Sequence, residues 1–494
     1  MTTQTLRSDI LAGTVVFLVA LPLSLGIAQA CNLPPFVGLL TGVIGGLVVT
    51  MFSPSRFAVS GPAAGLVTVV VGAMESLGSF SFLLTALIFA GMLQLAAGFL
   101  RAGRWISLIP ASVIQGMMVA IGLLLILQQT PVALDVEGDT ITNLVSADSV
   151  FVAVGALLIL SLWQTKWIKR NRLSGLVPGA LVAVIWGSLV VVLGERLAPQ
   201  WIADLERLGL PLVDSFAELK EQFSQPDFSV AWRSGDVWLT ALTLALVASL
   251  ETLLSQEALN KLRPQQPHPS ADKELRAQGV GNMLSGLLGG LPITAVIVRS
   301  SVNVSAGARS RLSVLIHGFL LLICGLFFES LLNTIPLASL AAILIFTGYK
   351  LANPRIFITQ WRLGAIQFIP FIVTAGGIIT TGMLPGLALG VLAQLLCSTR
   401  ASHRSAIQLS RYNDHFVIRF NQNLTFLHNA RLQALLTKIP DNSVVIAEHE
   451  SAEYMDRDIW LTLAEFSAAA AARGIMLERW PDIDKALLSE GHAH

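Results

Sequence analysis

About fourteen apolar stretches follow one another along most of this chain, and nothing else constrains its fold so strongly. In lipid every backbone N–H and C=O must be satisfied within the segment or by a closed neighbour, so consecutive apolar stretches of this length read as membrane helices. The composition agrees: 54% of the residues are hydrophobic, 13% are charged, and the mean hydropathy is +0.69, where a soluble chain carries about 25% charged residues. The net charge of +1 gives no electrostatic handle for a nucleic acid. The partner implied is the lipid bilayer.

The stretches divide into two sets of seven. The first set is read at 9–30, 34–52, 61–76, 80–100, 107–128, 148–163 and 173–194. The second is read at 236–260, 277–290, 295–307, 311–328, 332–350, 363–380 and 383–398. The halves, about 9–194 and 236–398, share short motifs. Ile109-Pro110 and Gly122 return 226 residues later as Ile335-Pro336 and Gly348. Asp9 and Gln29 return as Asp236 and Gln256, Gly42-Val43-Ile44-Gly45-Gly46 as Gly286-Leu287-Leu288-Gly289-Gly290, and Leu176-Val177-Pro178-Gly179 as Met383-Leu384-Pro385-Gly386. The third stretch of each half is short and follows an extended Pro- or Gly-rich segment, Phe57–Pro62 or Gly289–Thr294. Two similar hydrophobic halves with paired broken helices are the pattern of a secondary transporter whose site lies between the repeats near the bilayer midplane.

Basic residues fall on alternate loops. With the N-terminus in the cytoplasm, the inner loops carry Arg101 and Arg104; Lys166, Lys169, Arg170 and Arg172; Lys261, Arg263, Lys273 and Arg276; Arg309 and Arg311; and Lys350, Arg355 and Arg362. The outer loop 129–147 has acids and no Lys or Arg, and 195–235 is net acidic. This positive-inside bias predicts an even number of spans with both termini cytoplasmic. The first apolar run has no convincing small-residue cleavage site and reads as a retained helix, not a signal peptide.

From about Ser398 the pattern changes. Arg400, His403, Arg404 and Arg411 read as a basic linker. Phe416–Phe420 alternates like a strand, 429–439 reads as a helix, 444–447 as a buried strand, 459–473 as an Ala-rich helix and 475–477 as a strand. Residues 1–398 are therefore expected to form a membrane domain and 399–494 a small α/β domain.

The motifs in their order resemble the SulP family of anion transporters, which includes sulfate permeases, bacterial bicarbonate transporters and prestin. The resemblance runs over nearly the whole chain. It is carried by Leu21-Pro22 with Gly26, Val59-Ser60-Gly61-Pro62-Ala63-Ala64, Phe328-Glu329-Ser330 and Ile335-Pro336. The tail, notably Ala452-Glu453-Tyr454-Met455-Asp456-Arg457-Asp458, resembles a short STAS domain. The resemblance implies an α-helical polytopic membrane protein with 14 spans in a 7+7 inverted repeat. It also implies half-helices at the third and tenth positions, a core subdomain moving against a gate, a homodimer, and a bacterial-type inner membrane. It implies a transporter of a small inorganic anion, bicarbonate or sulfate, and not an enzyme.

Opposed half-helices would aim unpaired N–H groups and about half a positive charge each at one point. Together they would form an anion cradle of backbone, with Ser60, Gly61, Ala63 and Ala64 at one end and Thr294, Ala295 and Val296 at the other. The competing reading is that these small residues only permit close helix packing. Arg299, one turn into the tenth segment, resembles the family's arginine beside the anion; alternatively it is a helix-holding ion pair. Glu251, next to Thr252 in the eighth segment, is expected as the partner of Arg299 and as the coupling residue, with H+ as the coupling ion and Na+ as the alternative. Leu23 and Ile27 match first-helix positions that face the anion in relatives and would form an apolar wall.

Other ionisable residues carry less. His317 is expected as a hydrogen-bonded packing residue, and Glu75, Glu257 and Glu329 at water or a cap, with Arg56 near the cytoplasmic face. Cys31, Cys324 and Cys397 show no ligand spacing and read as inert, so no metal and no cofactor is expected. Gly279-Val280-Gly281 lacks the Lys-Ser/Thr of a phosphate loop. Ser451 is a weak candidate for phosphorylation, and His492 and His494 lie on a tail. An uncoupled channel and a membrane scaffold remain the alternatives to a coupled carrier.

Overall fold

The structure, a computed structural model, describes residues 3–103, 110–136, 146–165, 168, 177–203, 205–210, 223–229, 234–262, 269–412, 415–421, 424, 428–448 and 455–481. Expectations placed on Arg104, Ile109, Lys166, Lys169, Arg170, Arg172, Leu176, Arg263, Ser451, Ala452, Glu453, Tyr454, His492 and His494 lie outside the described residues.

The first half comprises α1 (Thr3–Ala30), α2 (Pro35–Ile44), β1 (Ser60–Pro62), α3 (Val67–Leu77), α4 (Phe80–Phe99), α5 (Ala111–Leu134), α6 (Ala147–Trp163) and α7 (Gly179–Leu197). The second comprises α8 (Gly235–Leu262), α9 (Ala271–Leu288), β2 (Ile293–Ala295), α10 (Ile297–Ser305), α11 (Leu312–Phe327), α12 (Leu337–Leu351), α13 (Ala365–Thr381) and α14 (Met383–Ala406). Short helices Glu329–Leu332 and Pro354–Arg362 flank α12. Among the described residues, eight helices are long and apolar enough to cross a membrane, and four more are shorter and apolar.

Two compact units are present. The first holds Met1–Arg362 and Phe371–Gly390, the second Leu363–Pro370 and Val391–His494. In the first, equivalent glycines of the two halves meet: a Cβ on Gly122 would lie 2.5 Å from Gly348 O, and one on Gly348 2.6 Å from Gly122 O. Backbone-to-backbone approach of this kind needs glycine and brings α5 and α12 together. The Gly-Val-Gly segment of α9 packs likewise, with a Cβ on Gly279 or Gly91 lying 2.7 Å from the carbonyl oxygen of the other.

Two breaks define the centre of this unit. After α2 the helix widens into a π turn at Gly45–Val49 before ending at Phe52. At the far end of α9, Gly289 adopts φ +82°, and Gly290 N–H returns to Ser285 O, so the chain leaves the helix sharply. Both extended segments then pair antiparallel as β1 and β2, with Ser60 opposite Ala295, Gly61 opposite Thr294 and Pro62 opposite Ile293. The broken stretches therefore start later than expected at 61 and 295: a tight turn begins at Ala64 ahead of α3, and α10 begins at Ile297. Pro62 explains the first delay, because a strand tolerates a residue without N–H where the ladder needs no donor. Val296 N–H donates to Val59 O at 2.9 Å, so by the alternation of an antiparallel ladder the next bonded pair is Gly61–Thr294 and Pro62 falls between bonded positions.

The second unit carries a four-stranded sheet in the order β3 (Ile407–Tyr412), β4 (His415–Phe420), β5 (Val444–Glu448), β6 (Met476–Glu478). The β3–β4 pair is antiparallel and the other two are parallel. With α15 (Asn429–Leu436) and α16 (Arg457–Ala470) it encloses a core of Ile407, Phe416, Ile418, Phe420, Val445, Ala447, Ile459 and Leu463. The stretch expected as a basic linker is instead helix to Ala406 and then β3, which contains Arg411. Ile407 and Leu409 alternate as a strand requires, but polar neighbours conceal it. The expected boundary at 398/399 falls within α14.

Candidate functional site

The crossover of β1 and β2 is buried and clamped by side chains distant in sequence. Asn282 of α9 accepts from Ile293 N–H at 2.6 Å through Oδ1, and its Nδ2 donates to Ile293 O and to Gln94 Oε1. Thr41 Oγ1 accepts from Leu291 N–H, and Ser285 Oγ donates to Leu291 O. From α10, Ser300 Oγ accepts from Val59 N–H and Asn303 Nδ2 donates to Phe57 O.

Thr252 Oγ1 accepts from Ala295 N–H at 3.1 Å. The N–H groups of Ala295 and Val296, expected to face an anion, are therefore already bonded. Those left without an intrahelical acceptor begin one residue later, in the first turn of α10, at Ile297, Val298 and Arg299; Ser300 N–H is the first to bond within the helix, to Val296 O. On the α3 side Leu66 N–H bonds Ala63 O, so the early N–H groups are those of Ala64 and Gly65. Thr252, expected in coupling, holds β2 in place.

Arg299 is 0% exposed. Its Nη2 donates to Ser24 Oγ of α1 at 3.2 Å, while Nε and Nη1 have no hydrogen-bond partner. A Cβ on Gly61 would lie 2.6 Å from Nη1, so the guanidinium rests against the β1 backbone. The expected ion pair with Glu251 is not formed: neither residue makes an ion pair with the other or with any other described residue. The reason is placement, since the Glu251 carboxylate lies against Gly65, where a Cβ would meet Oε1 at 2.6 Å. Glu251 thus sits at the start of α3 and Arg299 against β1. Glu251 Oε2 and Thr294 Oγ1 are buried and unbonded.

The remaining expected residues are placed as follows. Ser60, Ala63 and Thr294 are buried. Leu23 and Ile27 are buried too, but Leu23 belongs to a hydrophobic cluster with Leu25, Leu39 and Leu321. The α1 residue that touches Arg299 is Ser24, which sequence reading passed over. His317 of α11 corrects another expectation: it is 0% exposed, yet neither ring nitrogen has a partner. Its neighbour three residues back, Val314, packs with Val59 and Val302, which puts the His317 face of α11 toward α10. Glu75, Glu257 and Arg56 are exposed. The three cysteines are free, and no group of three or more metal-ligating side chains occurs among the described residues.

A fully buried cation, two helix starts and a strand crossover lie together here, and buried positive groups of this kind call for a balancing charge. Residues 6–374 match the profile described as the Sulfate permease family. The chain belongs to that family. Among its relatives, the putative sulfate transporter YvdB of Bacillus subtilis is 26% identical over 89% of this chain and 79% of its own length. The bicarbonate transporter BicA of Picosynechococcus is 28% identical over 71% of this chain and 62% of its own. Two solved structures share the fold. The transmembrane domain of a cyanobacterial BicA matches with TM-score 0.65 at 21% identity, over 80% of this chain and 98% of that one. SLC26A9 matches with TM-score 0.75 at 16% identity, over 99% of this chain and 87% of that one. The family and the apolar helices make this an integral membrane protein.

Proposed function

We propose that this chain is a secondary active transporter of a small inorganic anion, bicarbonate or sulfate, which binds between the starts of α3 and α10 beside Arg299. One observation carries the proposal: Arg299 is wholly buried and has no acidic partner. A cation kept at that depth costs roughly 2.5–3.5 kcal/mol on insertion scales unless something balances it, and the balancing charge is the transported anion. Relatives described as sulfate and bicarbonate transporters support the substrate class.

Glu251 is the coupling residue in this reading. Its carboxylate lies at the start of α3, where an ionised acid cancels the positive end of the helix. Taking up a proton would restore that field and favour the anion, so proton and anion would travel together. The frame is fourteen spans in two inverted halves, α1–α7 and α8–α14, with both termini in the cytoplasm of a bacterial-type inner membrane. The α/β part that follows α14 is a STAS-like domain, the assembly is a homodimer, and the core moves against the gate. The antiparallel β1–β2 pairing supports inverted halves.

Uptake of labelled bicarbonate and sulfate into proteoliposomes, with sodium and pH gradients imposed separately, tests both parts. Arg299→Ala should abolish uptake in a protein that still folds. Uptake driven by sodium and indifferent to pH would replace proton coupling with sodium coupling, and normal uptake by Arg299→Ala would remove the arginine from the mechanism.

A further inference from the structure

Between α12 and α13 the chain forms a nine-residue helix, Pro354–Arg362, whose faces differ in kind. Asn353 caps it, with Oδ1 accepting from Arg355 N–H at 2.9 Å and Pro354 following at the first helical position. One face is docked. Phe357 meets the Phe371 ring of α13 edge to face at 5.2 Å, and Gln360, one turn on, is buried and donates to Gln115 Oε1 of α5. α5 and α13 also touch each other at Gly116, where a Cβ would lie 2.5 Å from Phe371 O. The starts of α5 and α13 and the end of α12 therefore gather around this helix, at one rim of the apolar bundle.

The other faces are exposed. Pro354, Ile358 and Trp361, spaced by four and three, form an apolar stripe, with Ile358 53% and Trp361 68% exposed. Arg355 and Arg362, two turns apart, form an exposed basic stripe. At about 3.6 residues per turn, the basic stripe falls almost opposite the docked face, with the apolar stripe between them on one side. Neither arginine forms an ion pair with a described residue. Lys350, in the last turn of α12, adds a further exposed cation beside Tyr349, which is 54% exposed. No Asp or Glu occurs between Glu329 and Asp414, so the surrounding chain carries no acid to offset these charges.

An apolar stripe flanked by cations is the build of a helix that lies at a bilayer surface. The apolar side sinks to the acyl boundary, tryptophan and tyrosine sit at headgroup level, and guanidinium groups fork onto phosphate oxygens. Around this helix the order is protein, then apolar stripe, then cations, which is the order of protein, acyl chain and headgroup at a membrane rim. A second copy of this chain would bring the same basic stripe against this one, and like charges would oppose the contact. A lipid of net negative charge fits both stripes at once. We infer that the helix Pro354–Arg362, with Lys350, is a binding surface for an anionic phospholipid, whose acyl chains lie against Ile358 and Trp361 and whose phosphate is held by Arg355 and Arg362. The inference rests on the chain being an integral membrane protein and is independent of the anion-site reading.

The test is a lipid titration of the detergent-purified full chain, read by native mass spectrometry and by thermal unfolding, with phosphatidylglycerol and phosphatidylcholine as probes. A basic side chain near an anionic surface contributes about fivefold in affinity. Arg355, Arg362 and Lys350 together should therefore favour phosphatidylglycerol by about a hundredfold at low salt. The preference should fade at about 1 M salt, where the Debye length is about 3 Å. Arg355→Gln combined with Arg362→Gln should cut it to about fivefold, leave phosphatidylcholine binding unchanged, and melt as the wild type does in phosphatidylcholine. Should the double variant fold poorly, either single variant carries the same test, with a loss of about fivefold. A wild type without the preference, or a variant that keeps it in full, would overturn the inference. Displacement of the lipid by glycerol phosphate at equal concentration would overturn it too, by marking a site for a soluble anion. So would an unchanged preference beside an altered oligomeric state in the variant, which would assign the surface to a second copy of the chain.

Discussion

Replacing Arg299 with methionine should push stability and function in opposite directions. Methionine is close to arginine in length and carries no charge, so the exchange removes the guanidinium and leaves most of the packing. Arg299 is 0% exposed and makes one hydrogen bond, to Ser24 Oγ, with no acid in reach. Its burial costs roughly 2.5–3.5 kcal/mol on insertion scales, and the Ser24 bond returns about 1–2 kcal/mol. Without anion, the Met variant should therefore be more stable by about 1–2 kcal/mol. With anion the sign reverses. A monovalent ion about 4 Å from the guanidinium gains about 4 kcal/mol at an effective dielectric of about 20, so losing it weakens binding by about a thousandfold. The assay is thermal unfolding of detergent-purified protein in anion-free buffer and in a bicarbonate or sulfate titration. The variant should melt higher than the wild type without anion and should show no anion-dependent rise. A variant that melts lower yet keeps the rise would refute the reasoning, because the protein itself would then be balancing the Arg299 charge.

Gly348→Ala should lower stability by about 1–3 kcal/mol, the cost of forcing an extra methyl into a packed contact, since its Cβ would lie 2.6 Å from the Gly122 carbonyl oxygen; a melting temperature equal to wild type would mean that α5 and α12 can part at no cost. Asn282→Ala strips partners from Ile293 N–H, Ile293 O and Gln94 Oε1, and at about 1–3 kcal/mol per buried orphan it should destabilise by at least about 3 kcal/mol in thermal or chemical unfolding. Its loss of uptake should follow the loss of folded protein.

Helix placement was the most legible part of this chain, because each segment announces itself by its own apolar run. Each of the fourteen expected stretches overlaps a helix among α1–α14, with some ends displaced by six residues or more, as where α5 runs on to Leu134 and α9 starts back at Ala271, and at the two breaks β1 and β2 replace the first residues expected of the third and tenth stretches. The strand pair could not be read locally, since neither three-residue segment alternates long enough to show a period of two. Arg299 and Glu251 stood out because charges are rare in apolar helices. Their mutual pairing did not follow, because nothing local fixes where a long side chain ends. Ser24, Thr41 and Gln94 were invisible for a different reason: an isolated hydroxyl or amide in a helix is ordinary until its partner, often more than two hundred residues away, is known. The face of Glu274, Gln278, Asn282 and Ser285 was within reach of sequence reasoning. Polar residues spaced by four, four and three on an otherwise apolar and glycine-rich helix mark one buried side.

The separation of the two charges bears on which anion is carried. Had Glu251 and Arg299 paired, each would have offset the other locally and the pair would have favoured the ionised carboxylate. Instead the guanidinium rests against Gly61 and the carboxylate against Gly65, so the field at the crossover depends on whether Glu251 holds a proton. Two helix starts contribute about one positive charge together and Arg299 adds another. An ionised Glu251 offsets one of them, which leaves a site matched to a monovalent anion. A protonated Glu251 leaves a site matched to a divalent one. Glu251→Gln holds the site permanently in the second condition without enlarging the side chain. It should therefore raise the affinity for sulfate relative to bicarbonate by about tenfold or more, the effect of one nearby charge in a partly screened site, and make that preference independent of pH. Competition between the two anions, measured in the variant across pH, decides the matter. A selectivity that stays at the wild-type ratio would mean that the Glu251 charge is not felt where the anion binds.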